Sequence, residues 1–458
     1  MTRSTFTILL VLLAACAPTG PAPAGRRVSE GLVLDLVPSP RGDAFVAEMR
    51  GRHEIAGDSR EQLWLSRAPF ESEPESLGRG ATEGGFSDDG RWIAWLVSKE
   101  RGDRTGPARA RLVSGGATID LKAAMPPFVF GSAALLSMSS YRGESGRGAL
   151  QATSLAGGAR SMSLYDAVPA AFARFGHGFV ALQRPGDGGP CRALRLDAAG
   201  THPVAVAADL ACATARMPLT VSSDGRAILL RHTRGALGIL RDGDATETTL
   251  APDTDAWAFD ASGRAWWSEA RAGRIFVARE GATIGDVEGR FARAIFPSRE
   301  GGAWVLLADR RCAGGTPSPT PACARLVAVG DAPAPPDAGT VRHVVASPSG
   351  FPLAIFAGDQ TPPALLAIAS PGHTFPVTAF GIAAEFSRDG RYLAAVEWMD
   401  DGQRPLLLDF ESGDVRTLST GAEVARVFWC GQTLLHTFET RKSWELADTR
   451  DGIYAVTP

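Results

Sequence analysis

A short stretch that recurs along the chain constrains the fold more than any other feature. Residues 86–96 read FSDDGRWIAWL and residues 386–396 read FSRDGRYLAAV, with weaker copies at 221–230 and 259–267. Each copy places a small polar residue and a Gly between two apolar runs, and such a pair is a strong hairpin signal. The second run is short, rich in β-branched and aromatic residues, and apolar on both faces. It therefore predicts a strand that lies between two neighbouring sheets.

The recurrence has the period of a propeller blade. One Gly marks the first turn of each unit, and these residues are Gly42, Gly90, Gly131, Gly176, Gly225, Gly263, Gly301, Gly350, Gly390 and Gly431. Their spacing of 38 to 49 residues fits a unit of four short strands. A second turn, such as the one at residues 114–116, follows in most units. The turn residues of the four clearest copies are Asp89, Gly90, Asp224, Gly225, Ser262, Gly263, Asp389 and Gly390.

We therefore expect an all-β chain folded as a β-propeller of four-stranded antiparallel blades. Most propellers have about four to eight blades, so the ten sequence units predict between about seven and ten. One ten-bladed ring, two smaller rings, and a smaller ring with degenerate units all fit the pattern. A single closed array is favoured because only the Pro-rich residues 332–336 offer a candidate hinge.

The repeat can be compared with a known family. The pattern resembles the WD-type repeat of TolB-like β-propellers. It consists of an apolar residue, Ser, a variable residue, Asp, Gly, Arg and then an apolar strand. It is similar also to the propellers of prolyl-oligopeptidase relatives. The usual Pro before Asp is replaced by Asp88, Ser223 and Arg388. The resemblance implies propeller architecture and a role in binding a protein or another component of the cell envelope.

Residues 1–15 are predicted to be a bacterial lipoprotein signal peptide. Arg3 supplies a positive n-region, and residues 6–13 form an apolar run that is too short to span a bilayer. Leu13-Ala14-Ala15-Cys16 resembles a lipobox, which would make Cys16 the lipidated residue. The residue after the Cys is Ala17, and not the Asp that usually retains lipoproteins at the inner membrane. We therefore expect an outer-membrane lipoprotein that faces the periplasm or the cell surface. The competing interpretation is an ordinary secretory signal with an incidental Cys.

The rest of the chain divides into a tether and the repeat array. Residues 16–30, rich in Pro, Gly and Ala, predict a flexible tether that starts at the lipidated Cys, and residues 31–458 predict the array. Export to an oxidising compartment makes disulfides plausible, and the candidate pairs are Cys312–Cys323 and Cys191–Cys212. Cys430, in strand context, is expected to be a buried free thiol.

A search for catalytic motifs is mostly negative. The sequence has no HExxH, GxSxG, P-loop or dinucleotide fingerprint, and we predict neither a metal nor a cofactor. The net charge of −3 and the lack of a basic cluster with interleaved aromatics argue against a nucleic-acid partner. Asp400, Asp401 and Glu397 form a possible carboxylate group at a strand end, but a polar turn explains them equally well.

Three functional hypotheses follow. The first is a non-catalytic, lipid-anchored propeller that binds an envelope protein or ligand through its rim loops. The second is an enzyme that acts on glycans or peptides through a central funnel. The third is a relative of prolyl-oligopeptidase propellers whose catalytic domain is lost or separately encoded. We favour the first because the lipobox and the repeat are the clearest signals in the chain.

Overall fold

The fold is all-β throughout the part of the chain that the structure describes. The computed structural model describes residues 22–50, 62–97, 106–142, 147–186, 188–212, 219–298, 301–308, 324–335, 340–348, 352–358, 362–370, 373–440 and 450–458. These residues form antiparallel sheets and contain no helix, and hence none that could cross a bilayer. The prediction of an all-β chain built from antiparallel sheets is confirmed.

The strands follow one another as hairpins, and we call the successive strands of each unit A to D. The first strand, β1 (Arg26–Glu30), belongs to the sheet of the last unit. Unit 1 comprises β2 (Leu32–Pro38), β3 (Ala44–Arg50), β4 (Gln62–Arg67) and β5 (Glu75–Arg79). Units 2 to 4 form one continuous sheet of β6 (Ala81–Phe86), β7 (Trp92–Val97), β8 (Gly106–Leu112), β9 (Ile119–Phe130), β10 (Ala134–Arg142), β11 (Arg147–Ser154), β12 (Arg160–Phe175), β13 (Gly178–Gln183), β14 (Cys191–Leu196) and β15 (Val204–Leu210).

Two long strands explain why this sheet is continuous. The first half of β9 pairs with β8 as strand D of unit 2, and its second half pairs with β10 as strand A of unit 3. In the same way β12 pairs first with β11 and then with β13, with a register shift between Ala167 and Phe172. Each long strand therefore serves two units.

The remaining strands repeat the same hairpin order. Units 5 and 6 comprise β16 (Leu219–Val221), β17 (Ala227–Arg231), β18 (Leu237–Arg241), β19 (Thr248–Ala251), β20 (Trp257–Phe259), β21 (Ala265–Arg271), β22 (Arg274–Arg279) and β23 (Ala282–Glu288). Units 7 and 8 comprise β24 (Ala292–Pro297), β25 (Ala303–Ala308), β26 (Ala324–Val329), β27 (Val341–Ala346), β28 (Leu353–Ala357), β29 (Ala364–Ser370) and β30 (His373–Thr378). Units 9 and 10 comprise β31 (Gly381–Phe386), β32 (Tyr392–Met399), β33 (Gly402–Asp409), β34 (Val415–Thr417), β35 (Val427–Cys430), β36 (Thr433–Phe438) and β37 (Gly452–Val456).

Unit 7 has three strands within the described residues. The segment after β26 contains Pro333 and Pro335, which lack a backbone N–H and disfavour a ladder strand. Trp304 Nε1 donates a hydrogen bond of 2.9 Å to Pro333 O and holds the segment against the unit. The sequence predicted a hinge in these residues, and the next described strand, β27, pairs with the start of β26 through Val341 and Ala324.

The first strand of the chain completes the last unit. β1 pairs antiparallel with β37, with Arg26 opposite Ala455 and Glu30 opposite Gly452. This corrects the predicted boundary at residue 31, because the last five residues of the expected tether already form a strand. The physical reason is that β37 would otherwise leave its outer backbone edge unpaired, and an extended segment can complete it.

Apolar side chains join each unit to the next. Ten clusters of buried side chains lie among the described residues, and each is shared by two consecutive units or by units 10 and 1. In β17, Ile228 and Leu230 pack toward unit 4, whereas Ala227 and Leu229 pack toward unit 6. The two-faced apolar strand that the sequence predicted is therefore present. Each fully buried Leu or Ile contributes about 1.5–3 kcal/mol relative to an exposed one.

Candidate ligand-binding face

The turns between strands A and B lie side by side at one end of the sheets. Gly42 touches Gly431, Gly90 touches the side chain of Arg41, and the Gly176 N–H donates to Gly225 O at 2.8 Å. Nine of the ten predicted glycines fall in these turns, and Gly350 lies outside the described residues. We call this surface the A–B turn face, and it includes the adjacent turns between strands C and D.

The repeated motif builds a rigid turn. In unit 2, Ser87 Oγ donates to Asp89 Oδ1 at 2.7 Å and accepts from the Trp92 N–H at 2.9 Å, while the Arg91 N–H donates to Asp89 Oδ1 at 3.1 Å. Gly90 supplies the left-handed conformation, with φ of 64°, that the turn requires. The copies at 222–227 and 387–392 repeat these hydrogen bonds.

The fourth copy uses a different acceptor. Asp260 stands where the other copies have Ser, and its Oδ1 accepts from the N–H groups of Ser262 and Arg264 at 2.9 and 3.0 Å. Its Oδ2 accepts from Trp266 Nε1 at 3.1 Å. Ser262 and Gly263, predicted as turn residues, lie in this turn, and Gly263 has φ of 77°.

The turn carboxylates are held as anions. Burial alone would raise the pKa of Asp89, but hydrogen bonds from Ser87 and the Arg91 N–H outweigh it and lower that pKa. Hydrogen bonds from Ser222 and Ser387 lower the pKa of Asp224 and Asp389 in the same way. A carboxylate that accepts several local hydrogen bonds and stays ionised is suited to fixing the turn rather than to transferring protons.

A cavity lined by both apolar and polar residues opens on this face across units 6 to 8. It has a volume of about 390 Å³ and lies between three successive A–B turns. Phe259 and Phe296 supply much of its apolar lining, and Pro348 contributes from the third unit. Asp260 and Arg264, paired at 3.0 Å, lie at its edge. The cavity can take a small apolar group with a polar end.

A larger groove lies between units 1 and 2. It has a volume of about 600 Å³, and its lining residues include Arg41, Arg67, Arg91, Trp92 and Leu112. Trp92 and Leu112 are cross-strand partners and form an apolar wall. Because three of the lining residues are arginines, we call it the arginine groove.

A smaller depression of about 210 Å³ lies on the other side of the same turn. It is lined by Asp88, Phe130, Ser132 and Arg174, and it shares Arg91 with the arginine groove. Burial raises the pKa of Asp88, although the nearby Arg174 guanidinium acts in the opposite direction. The turn of unit 2 is therefore a ridge with a depression on each side.

The structure describes only some of the cysteines singled out from the sequence. Cys16, Cys312 and Cys323 lie outside the described residues. Cys191 and Cys212 are joined by a disulfide that links the start of β14 to the residues after β15. Cys430 is a buried free thiol, as predicted, and it donates to Ala44 O in unit 1. Burial raises the pKa of Cys430 to about 12, so it stays protonated at neutral pH.

The possible carboxylate group at the end of β32 is not brought together. Glu397 is buried and accepts hydrogen bonds from Thr378 Oγ1 and Arg404 Nε. Asp400 and Asp401 lie in the turn beyond it. Within the described residues, no three His, Cys, Asp or Glu side chains lie close enough to hold a metal ion.

Sequence reasoning missed two carboxyl groups with shifted pKa. Burial raises the pKa of Glu385, on strand β31, to about 7. Burial also raises the pKa of Glu439 to about 7, with Arg426 lowering it and Asp451 raising it. Both shifts follow from burial in the folded protein, and neither residue lies in a motif, so no local pattern could have identified them.

Comparison with solved structures returns propellers of different functions. A eukaryotic initiation factor is 12% identical with a TM-score of 0.48, and the match covers 91% of this chain and 92% of that one. The dihydro-heme d1 dehydrogenase NirN, solved in complex with DHE, is 13% identical with a TM-score of 0.44, covering 92% and 84%. TolB from Acinetobacter baumannii is 14% identical with a TM-score of 0.29, covering 53% and 62%. No protein-family profile and no curated protein sequence matches this chain.

Proposed function

We propose that this chain is a lipid-anchored cell-envelope protein that binds a partner or ligand through the A–B turn face of one closed ring. Closure is supported by β1, which completes the sheet of the last unit, and by contacts between units 10 and 1. Arg426 donates to Leu34 O at 2.6 Å, and one buried cluster includes Leu435 from unit 10 and Val33 from unit 1. In this proposal the ten units are ten blades.

The observation that carries the proposal is that three depressions formed by described residues open on one face. Two cavities and the arginine groove open on the A–B turn face, and hairpin turns fixed by local hydrogen bonds form part of their walls. Binding sites are concave, largely pre-formed and supplied with a few polar groups, and all three depressions fit that description. Because the turn carboxylates stay ionised and internally bonded, the face is better suited to recognition than to acid–base chemistry.

Photo-crosslinking tests the binding face. A photoreactive phenylalanine analogue would replace Leu112 on the A–B turn face or Phe380 at the opposite end of the sheets, in the full-length protein in intact cells. We expect a discrete adduct from position 112 and none from position 380, since only the first faces the depressions. Equal labelling from both positions, or no adduct from position 112, would contradict the proposed binding face.

Fatty-acid labelling tests the anchor. Cells fed an alkyne fatty acid should label the wild-type protein and retain it in the outer-membrane fraction. The variant Cys16→Ser should lose the label and leave that fraction, because the proposed lipid would have no thiol to attach to. Retention of label in the variant would refute lipidation at Cys16.

An enzyme that acts on glycans or peptides through the central funnel is the second candidate. One observation favours it: Glu385, on strand β31, has a pKa of about 7, which suits a general acid or base. Turnover of an envelope glycan or peptide by the wild type, together with its loss in Glu385→Gln, would favour this candidate over a binding protein.

A further inference from the structure

We propose that the arginine groove binds an acidic peptide segment, with a carboxylate on Arg91 and an adjacent apolar side chain against Trp92 and Leu112. This inference rests on the proposed function and specifies the chemistry of one part of the A–B turn face. The three arginines of the groove differ in whether they already pair with an acidic side chain of the protein.

Two of the three arginines are engaged within the protein. Arg67 donates from Nε to Val113 O at 2.6 Å and from NH2 to Glu75 at 2.7 Å. Arg41 has a looser contact of 3.6 Å with Asp43, whose Oδ1 also accepts from Ser39 Oγ at 3.0 Å. Arg67 is therefore committed, whereas Arg41 keeps part of its donor capacity.

Arg91 differs from both. Its backbone N–H and C=O are used by the turn, and its charge helps to lower the pKa of Asp89, but its guanidinium makes no hydrogen bond or ion pair with any residue in the described part of the chain. The Arg41 side chain lies against Gly90, and Arg41 and Arg91 both line the groove.

The equivalent arginine in unit 9 shows what is missing. Arg391 holds the same motif position, and its NH2 contacts Asp409 at 3.1 Å and Glu411 at 2.7 Å. In both units the residue after strand C donates a backbone hydrogen bond to the arginine carbonyl. The donors are the Phe410 N–H, to Arg391 O in unit 9, and the Val113 N–H, to Arg91 O in unit 2.

The register identifies the substituted positions in unit 2. Asp409 lies opposite Tyr392, and the corresponding pair in unit 2 is Leu112 opposite Trp92. Two residues further on, Glu411 corresponds to Ser114. Unit 2 thus keeps the arginine and replaces both acids. The residue at the first acidic position is Leu112, whose side chain is 39% exposed.

A ligand carboxylate would supply the acid that unit 9 carries internally. An exposed ion pair contributes only about 0.2–1 kcal/mol, so a lone carboxylate would bind weakly. The ligand must therefore also cover the apolar wall of Trp92 and Leu112. An extended peptide with an acidic residue next to a leucine-like residue meets both requirements and can follow an open groove of about 600 Å³.

Fluorescence anisotropy with a defined probe tests the inference. The probe is a fluorescein-labelled pentapeptide that alternates glutamate and leucine, and its control carries glutamine in place of glutamate. The full-length protein in detergent should bind the first peptide and not the second, and the affinity should fall as salt rises. Arg91→Ala should weaken binding by about two- to fivefold, the range expected for one exposed ion pair, whereas Arg391→Ala should leave it unchanged because Arg391 is already paired.

A second variant tests the internal-acid argument without removing Arg91. Leu112→Asp combined with Ser114→Glu rebuilds the acid pair of unit 9 and should abolish peptide binding. Equal affinity for the two peptides, equal losses in Arg91→Ala and Arg391→Ala, or unchanged binding in the double variant would overturn the inference. If the probe fails to bind while position 112 still gives a photo-adduct in cells, the peptide inference fails and the proposed binding face stands.

Discussion

Ser222 shows how much of a turn depends on one hydroxyl. Its Oγ donates to Asp224 at 2.6 Å and accepts from the Ala227 N–H at 2.9 Å, and the side chain is buried. The same two hydrogen bonds recur at Ser87 and Ser387. The motif is therefore a structural device, and its recurrence in sequence reflects a repeated turn.

Replacing this hydroxyl should destabilise the protein measurably. We expect Ser222→Ala to lower the free energy of unfolding by about 1–3 kcal/mol, because a buried N–H and a carboxylate each lose a partner. Urea unfolding followed by tryptophan fluorescence would measure the change. Ser223→Ala, at the exposed neighbouring position, is the matched control and should stay within about 0.5 kcal/mol of the wild type. Equal effects of the two substitutions would contradict the role assigned to Ser222.

Glu439 predicts a pH dependence of stability. Its pKa is raised to about 7 in the folded protein, against 4.5 for an ordinary Glu. Between pH 4.5 and pH 7, the carboxyl group is therefore mostly protonated in the folded state and mostly ionised in the unfolded state. Stability should therefore fall as pH rises from about 4.5 to 7. Glu439→Gln should remove that part of the slope, and the variant should melt higher than the wild type at pH 8 but not at pH 4.

Thermal melts at both pH values would test this prediction. Glu73→Gln, which changes an exposed carboxyl, is the control and should follow the wild-type profile. A Glu439→Gln variant that melts below the wild type at pH 8 would show that the ionised carboxylate is stabilising and that the assignment is wrong.

Strands B of the units are the elements that hold neighbours together. In β17 each side of the strand belongs to a different cluster, so one strand supports two interfaces. Leu230→Ala should cost about 2–5 kcal/mol, because it leaves a cavity between units 4 and 5. Val204→Ala, on β15 with a side chain that is 62% exposed, should cost less than about 0.5 kcal/mol. Denaturant unfolding of both variants would measure these costs, and similar values would argue against an inter-unit core at Leu230.

The sequence predicted elements of this kind well because their signals are local. A Gly in a tight turn, followed by an apolar run, marks each A–B hairpin even where the Asp is absent, as at Gly131 and Gly176. The Pro-rich segment after β26 fits both a hinge and a replaced fourth strand, so its sequence does not decide between them. The pairing of β1 with β37 joins residues far apart in the chain, and no local pattern encodes it.

The candidate site was less accessible to sequence reasoning than the fold. The motif points to Arg91 and Arg391 equally. Only the register with strand C shows that Asp409 and Glu411 pair with Arg391, whereas Leu112 stands at the corresponding position beside Arg91, which has no ion pair among the described residues. The raised pKa of Glu385 likewise depends on packing against unit 10, where Trp429 Nε1 donates to Glu385 O at 3.0 Å. Such sites arise between units, and a repeat signature describes single units.

At the scale of the whole molecule, the account depends on a ring closed by its two ends. Arg27 and the Gly31 N–H both donate to Asp451 O, which ties the first strand to the start of β37. His436, in the middle strand of the same sheet, contacts Ala24 O at 2.8 Å. If these contacts form, unit 10 is complete only when the N-terminal strand is in place.

A disulfide engineered between the two ends tests this closure most directly. Arg26→Cys combined with Ala455→Cys places thiols at opposed positions of β1 and β37. Mild oxidation of the folded, full-length protein, followed by non-reducing peptide mass mapping, should recover a peptide that links positions 26 and 455. The control pair, Arg26→Cys with Val204→Cys in unit 4, should give no such link. Failure of the 26–455 link to form, or equal linkage in the control pair, would contradict a ring closed by the first strand.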